Sequence, residues 1–239
     1  MKKKNGFIEG IIDGMPICLG YLSVAFAFGI FATDSGLGIL ETLLISMTNV
    51  TSAGQLAAVP IITAGGSLAE LAWCQVIINL RYALMSTSLS QKMDKSIRLI
   101  DRFLIAFVNT DEVFAVASGK KHKVRRNYMY GLILPPYLGW SIGTLMGSLA
   151  GNVLPPGVVS ALGIAIYGMF VAIVVPEMKE NSKTALAVVL SIILSCIFEF
   201  LPILEKVPDG FTVIICAVSA SLLFAIIFPV DVKEECENE

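Results

Sequence analysis

The sequence predicts an all-α integral membrane protein, on three observations. The 239-residue chain is 56% hydrophobic, with a mean hydropathy of +0.79. Only 15% of its residues are charged, against about 25% in a soluble domain. Those charges cluster, leaving apolar runs of the roughly 20 residues that one helical crossing needs. A globular core of this size needs a polar shell, and the chain holds too little polar sequence to build one. The net charge of −2 gives no basic footprint for nucleic acid.

Eight apolar segments follow in order, at about 11–33, 39–63, 67–88, 101–118, 127–150, 157–176, 184–204 and 210–229. They form a single polytopic membrane domain over residues 1–239. Residues 1–10 are its cytoplasmic N-terminus and residues 231–239 a short, acidic cytoplasmic tail. Met1-Lys2-Lys3-Lys4 ahead of an apolar run resembles a signal peptide. Glu9 and Asp13 interrupt the start of that run and further spans follow, so a retained first helix is expected. Cys18, Cys74, Cys196 and Cys216 lie in apolar runs and Cys236 in the tail, with no metal or disulfide spacing. They read as small packing residues, and neither a metal nor a cofactor is expected.

Topology follows from Lys and Arg in short loops, which stay on the cytoplasmic side. Lys2–Lys4 place the N-terminus inside. Lys92, Lys95, Arg98 and Arg102 place 89–102 inside, and Lys120, Lys121, Lys123, Arg125 and Arg126 do the same for 119–126. Segment 101–118 lies between two inside loops, and a single crossing cannot start and end on one side. One solution has about six full transmembrane helices plus two re-entrant or broken segments, 39–63 and 101–118. The alternative is eight full crossings, with 89–102 outside against the rule. The first is favoured because both segments have polar centres, Thr48–Gln55 and Asn109-Thr110-Asp111-Glu112. Irregular backbone at membrane depth is tolerated where it lines a cavity or is buried in protein, and discontinuous helices of this kind hold transporter substrates. Both solutions leave the C-terminus inside.

Four groups of residues stand out. Asp111 and Glu112 are intramembrane carboxylates, which cost about 2.5–3.5 kcal/mol each on insertion scales and usually face a partner inside the protein. Their functional reading is proton coupling or contact with a substrate ammonium. Their structural reading is a cap on a half-helix that begins near residue 112, with Asn, Thr or Asp as the cap. The two are compatible. Arg81, in Asn79-Leu80-Arg81-Tyr82, is the only basic residue well inside an apolar segment. It either pairs with Asp111 or Glu112, holds a carboxylate in a bidentate fork, or snorkels to the interface. Thr51-Ser52-Ala53-Gly54-Gln55 is a small-residue turn ending in an amide. Its N–H groups could bind a carboxylate, or it is a polar kink satisfied by neighbouring helices. Gly139, Gly143, Gly147 and Gly151 recur every four residues and form a stripe for close helix packing, against a helix of this chain or of another. There is no phosphate-binding GxxxxGK[ST], and the single histidine, His122, sits in a basic loop. Enzyme chemistry has little support.

Over about residues 6–230 the sequence resembles the AzlC family, the large subunit of bacterial branched-chain amino acid exporters, also called azaleucine-resistance proteins. The resemblance is carried by Gly14–Tyr21 leading into Ala25-Phe26-Ala27-Phe28-Gly29, by Ser52-Ala53-Gly54-Gln55-Leu56, by Asn79–Leu84, and by Thr110-Asp111-Glu112-Val113-Phe114. Trp140–Thr144 and Gly163–Pro176 complete the set. The family often has an aromatic where this chain has Leu56, and an Ala-Gly-Ala-Ser-Gln type of turn where this chain has Thr51–Gln55. The resemblance implies export of Leu, Ile, Val or a similar apolar amino acid, a small separately encoded AzlD-type membrane subunit, and a place in the bacterial cytoplasmic (inner) membrane.

The expected function is therefore a secondary transporter exporting branched-chain or similar apolar amino acids, working with that subunit and proton-coupled. Ser52, Gly54, Gln55, Asn79, Arg81, Thr110, Asp111 and Glu112 are its substrate-binding candidates, with Asp111 and Glu112 also candidates for proton coupling. Gln55 with its turn, or Arg81, serves the substrate carboxylate; Asp111 or Glu112 serves the ammonium. Apolar walls discriminate poorly, since one methylene is worth about 1–3 kcal/mol, so a broad substrate range is expected. The rival readings are a passive channel for small solutes and a non-transporting membrane scaffold for a partner.

Overall fold

The computed structural model describes residues 6–151, 181–201 and 209–228, with positions 154–155, 157–158, 171, 174–176, 178–179 and 207 between them. Segment 157–176 lies largely outside the described residues, as do Lys2–Lys4 and the 231–239 tail. Nine helices are described, and the single bridge among the described residues joins Met93 to Val124. The chain divides into two compact units, residues 1–65 with 78–166 and residues 66–77 with 167–239.

The first unit is built on α1 (Phe7–Asp34) and α7 (Arg126–Gly151). A Cβ added to Gly10 would lie 2.2 Å from the Tyr128 carbonyl oxygen. Added to Gly139, Gly143 or Gly147 it would lie 2.6, 2.5 or 2.0 Å from the carbonyl oxygens of Cys18, Leu22 and Phe26. The contacts advance in the same direction along both helices, so α1 and α7 run parallel. Backbone meets backbone because no side chain intervenes, the close approach that small residues at four-residue spacing allow. Trp140 is buried and meets the edge of Tyr21 at a 5.0 Å centroid distance.

Around this pair the chain makes two broken segments. Gly36, at φ 98, turns the chain out of α1 while the Leu37 N–H donates to the Ala32 carbonyl, a left-handed exit that glycine accepts without strain. Helix α2 (Ile39–Thr48) then stops, and α3 (Ser52–Thr63) begins after Asn49-Val50-Thr51. Ile45 of α2 and Leu56 and Val59 of α3 pack with Phe28 and Ala32 on the last turns of α1. Helix α4 (Leu68–Lys92) follows, then α5 (Leu99–Phe107) and α6 (Asp111–Ser118), separated by Val108-Asn109-Thr110. The breaks overlap the polar centres of 39–63 and 101–118. The stretch expected as a basic loop at 89–102 is mostly helical, with its irregular part confined to 93–98.

The ends of α5 and α6 lie together. The Asp94 N–H donates to the Val124 carbonyl and the Val124 N–H to the Lys92 carbonyl, both at 3.0 Å. The Arg126 N–H donates to Ser96 Oγ at 3.1 Å. The Ser96 hydroxyl and backbone N–H beside Asp94 hold its carboxyl below the usual carboxylate range. Asp101 is fully buried and accepts from Arg126 Nε at 2.9 Å, from the Tyr130 hydroxyl at 2.6 Å and from the Arg98 N–H at 2.9 Å. Lys120, just after α6, ties this end to the first turns of α1 through Glu9 at 3.1 Å and Asp13 at 2.7 Å. The segment from Leu99 to Ser118 therefore leaves and re-enters the same end of the unit, the end where α1 and α7 start. Since α4 finishes there, it runs opposite to α1. The α2–α3 hairpin enters from the far end.

The described part of the second unit holds α8 (Ser182–Phe200) and α9 (Asp209–Ile227), which pack on one another. Among the described residues, Phe7–Asp34 and Ser182–Phe200 are both long and apolar enough to cross a membrane. Helices α4 and α7, with 25 and 26 residues, have the length with a less apolar composition.

Candidate functional site

The two hairpins enter from opposite ends and their tips meet. Thr48, Asn49 and Thr51 from one tip and Ala106 and Asn109 from the other line a common cavity of about 130 Å3, together with Asn79 and Tyr82 of α4. The tips are built alike. In the first, the Thr51 N–H donates to the Asn49 carbonyl; in the second, the Thr110 N–H donates to the Val108 carbonyl, at 2.9 and 3.0 Å. A threonine then stands at the N-cap of the next helix in each, Thr51 for α3 and Thr110 for α6.

The cap at α6 decides how Asp111 and Glu112 are used. The Thr110 hydroxyl takes the Val113 N–H at 3.5 Å, so capping falls to threonine. The carboxylates sit in the first helical turn, where the macrodipole favours negative charge, and their side chains bond elsewhere. Asp111 Oδ2 pairs with Arg81 Nη2 at 2.9 Å. Glu112 Oε2 accepts from the hydroxyl of Tyr21 on α1. Arg81 also donates to the Tyr82 hydroxyl at 3.2 Å, its guanidinium lying 4.9 Å from the centre of that ring. Tyr82 in turn reaches Thr51 Oγ1 at 3.4 Å. A polar chain thus runs from the second tip through α4 to the first.

The Arg81–Asp111 pair is open. The two side chains are 53% and 48% exposed, and a pair of that exposure contributes about 0–1 kcal/mol to stability in water. It is a weak lock, a cation and an anion side by side.

The remaining sequence candidates are distributed as follows. Asn79 lines the tip cavity. Ser52, Gly54 and Gln55 form the first turn of α3; Gln55 is 1% exposed, and its Oε1 is buried without a hydrogen-bond partner. Gly139, Gly143 and Gly147 face α1 of the same chain, and Gly151 comes within 2.8 Å of Thr33 Oγ1 by the same Cβ construction. Tyr21 is a site residue that the sequence does not mark. It lies 91 residues from Glu112, and a lone tyrosine in an apolar helix gives no local sign of a polar partner. Asn49 and Asn109 could have been found as a recurrence, since Asn-Val-Thr and Asn-Thr mark the two polar centres.

The family model described as AzlC protein matches residues 16–154, a span that contains both hairpins, Arg81 and the carboxylates. The chain belongs to the AzlC family. This AzlC protein is 31% identical to "Inner membrane protein YgaZ" of Escherichia coli (strain K12) over 184 residues, which is 74% of this chain and 75% of that one. It is 32% identical over 187 residues to a membrane protein of Archaeoglobus fulgidus, covering 77% of this chain and 82% of the relative. It is 23% identical over 194 residues to a membrane protein of Helicobacter pylori (strain J99), covering 75% and 80%. No solved structure matches it. The AzlC protein is thus an all-helical membrane protein of a transporter family.

Proposed function

We propose that this AzlC protein is the large subunit of a secondary exporter of branched-chain or similar apolar amino acids, working with a small AzlD-type membrane subunit and coupled to protons. The observation that carries the reading is the open Arg81–Asp111 pair beside the meeting point of two broken helices. The substrate carboxylate takes the Arg81 guanidinium, whose planar fork suits it, and the ammonium takes Asp111. The two side chains pair again when the substrate leaves. Glu112, held by the Tyr21 hydroxyl, is the second carboxylate and the proton carrier in this reading. Protonating Glu112 removes a negative charge from the residue beside Asp111, which weakens the field that holds the ammonium there and couples protonation to release.

In the membrane, α1, α4 and α7 cross fully. The α2–α3 and α5–α6 hairpins are re-entrant, from the outside and the cytoplasm respectively, and both termini are cytoplasmic. The shared end of α5 and α6 carries the basic residues Lys95, Arg98, Lys120, Lys121 and Arg125, which supports that end as the cytoplasmic one. The Escherichia coli relative is named as an inner membrane protein, which supports the same compartment for this chain.

The deciding experiment loads vesicles containing both chains with leucine and imposes a pH gradient. Efflux that accelerates with the gradient supports the proposal. Efflux that follows the leucine gradient alone, indifferent to pH, would replace it with the passive-channel reading. No leucine flux, with intact assembly, would leave the scaffold reading.

A further inference from the structure

We propose that the cavity between the two hairpin tips binds a small alkali-metal cation. The cavity measures about 130 Å3, below the roughly 300–1,000 Å3 of pockets that enclose whole small molecules. It has room for an ion or a head group and a few waters. Six of its lining residues, Thr48, Asn49, Thr51, Asn79, Tyr82 and Asn109, have oxygen-bearing side chains, and none of its described lining residues carries a charge.

The field in this space comes from the helix ends. Thr48 and Asn49 bring the C-terminus of α2, and Ala106 and Phe107 bring the C-terminus of α5. Each helix C-terminus carries about half a negative charge on its last carbonyl groups, so two of them converging favour a cation. Of the two N-caps at the tips, only Thr51 lines the space. Half-helix C-termini with unwound carbonyls are a known way to hold a cation at membrane depth. The nearest positive side chain on the network, Arg81, is neutralised by Asp111 at 2.9 Å.

A second observation points to a ligand. Asn109 is 4% exposed. Its Nδ2 donates to Ser86 Oγ at 3.2 Å, and its Oδ1 is buried without a hydrogen-bond partner, in a residue that lines the cavity. A buried carbonyl oxygen left unsatisfied costs about 1–3 kcal/mol, and a turn of the Asn109 amide toward a cation in the cavity removes that cost. The inference stands on the cavity and does not depend on the transport reading above, which seats the substrate ammonium on Asp111.

The test uses the purified full chain in nanodiscs, melted at constant ionic strength in LiCl, NaCl, KCl or N-methyl-D-glucamine chloride, whose cation is too large for the space. A saturable rise in Tm with one of the alkali ions is expected, about 3–6 °C at ten times Kd. Asn109→Ala and Thr51→Val should each weaken that ion's apparent Kd at least tenfold. Thr51→Val alone suffices if Asn109→Ala does not fold. A parallel series compares leucine with 4-methylpentanoate, which lacks the amine. A rise with leucine alone, lost in the same variants and independent of the alkali ion, would give the cavity to the substrate ammonium and overturn both the alkali-ion proposal and the placing of that ammonium on Asp111. Identical melting in all four salts with no response to leucine overturns the proposal, as does a response that both variants retain in full. An alkali-ion response without any leucine flux in vesicles would uphold the cavity and refute the export reading.

Discussion

Replacing Gly147 with alanine tests how closely α1 and α7 approach. The new Cβ would lie 2.0 Å from the Phe26 carbonyl oxygen and 2.8 Å from its carbonyl carbon. A carbon–oxygen contact needs about 3.3 Å, so the two backbones must part locally by more than about 1 Å. No rotamer change can relieve the clash, because both sides of the contact are main chain. Overpacking of this kind costs about 1–3 kcal/mol, and a backbone-on-backbone clash belongs at the upper end. Against it stands the gain of about 1 kcal/mol from removing glycine from a helix interior. The expected net loss is about 2 kcal/mol, or roughly 4–8 °C in Tm for a chain of this size. Gly20 is the internal control: it lies inside α1 with nothing within 4 Å of an added Cβ, so Gly20→Ala should raise Tm by about 2–4 °C. Thermal unfolding of the purified chain in detergent, followed by tryptophan fluorescence, reads both, since Trp140 lies in the same interface. If Gly147→Ala is as stabilising as Gly20→Ala, the two helices do not touch along the glycine stripe.

Two further outcomes follow from the same geometry. In a cysteine-free background, single cysteines at Ser96 and Lys121 should both react only with reagent added from the cytoplasmic side. Reaction of position 96 from outside would restore eight crossings. Arg81→Gln should lower leucine efflux at least tenfold yet change stability by no more than about 1 kcal/mol, because the pair it breaks is half exposed. A large loss of stability with normal specific transport would make Arg81 structural.

Much of the architecture can be read along the chain. Composition and charge clustering point to an all-α membrane protein. The polar centres at Thr48–Gln55 and Asn109–Glu112 mark where the helices break, because backbone freed at membrane depth must be buried in protein or line a cavity. Ser52–Gln55 and Asp111–Glu112 already open the next helices. The basic clusters around 89–102 and 119–126 suggest a common side, and the Asp94–Val124 and Lys92–Val124 hydrogen bonds bring those two loops together. Contacts over long separations leave no such trace. The four-residue glycine period announces a close neighbour but not that it is α1. Neither Tyr21 nor Glu112 carries a local sign of the other. The choice between capping and other roles for the carboxylates also waited on backbone geometry. Thr110, one residue earlier, takes the N-cap and leaves Asp111 and Glu112 to bond to α4 and α1.

The most direct measurement of the central claim is pH-gradient-driven leucine efflux from vesicles holding this chain with its small partner subunit, for the parent, Asp111→Asn and Glu112→Gln. An amide keeps the size of the side chain and removes the titratable charge, and Thr110 rather than either carboxylate caps the helix, so both variants should assemble normally. Asp111→Asn is expected to lose leucine binding and flux together. Glu112→Gln is expected to keep leucine exchange while losing acceleration by the pH gradient. If both variants export leucine like the parent at every pH, the two carboxylates are structural, and the coupling group must be sought at Glu9, Asp13 or Glu199.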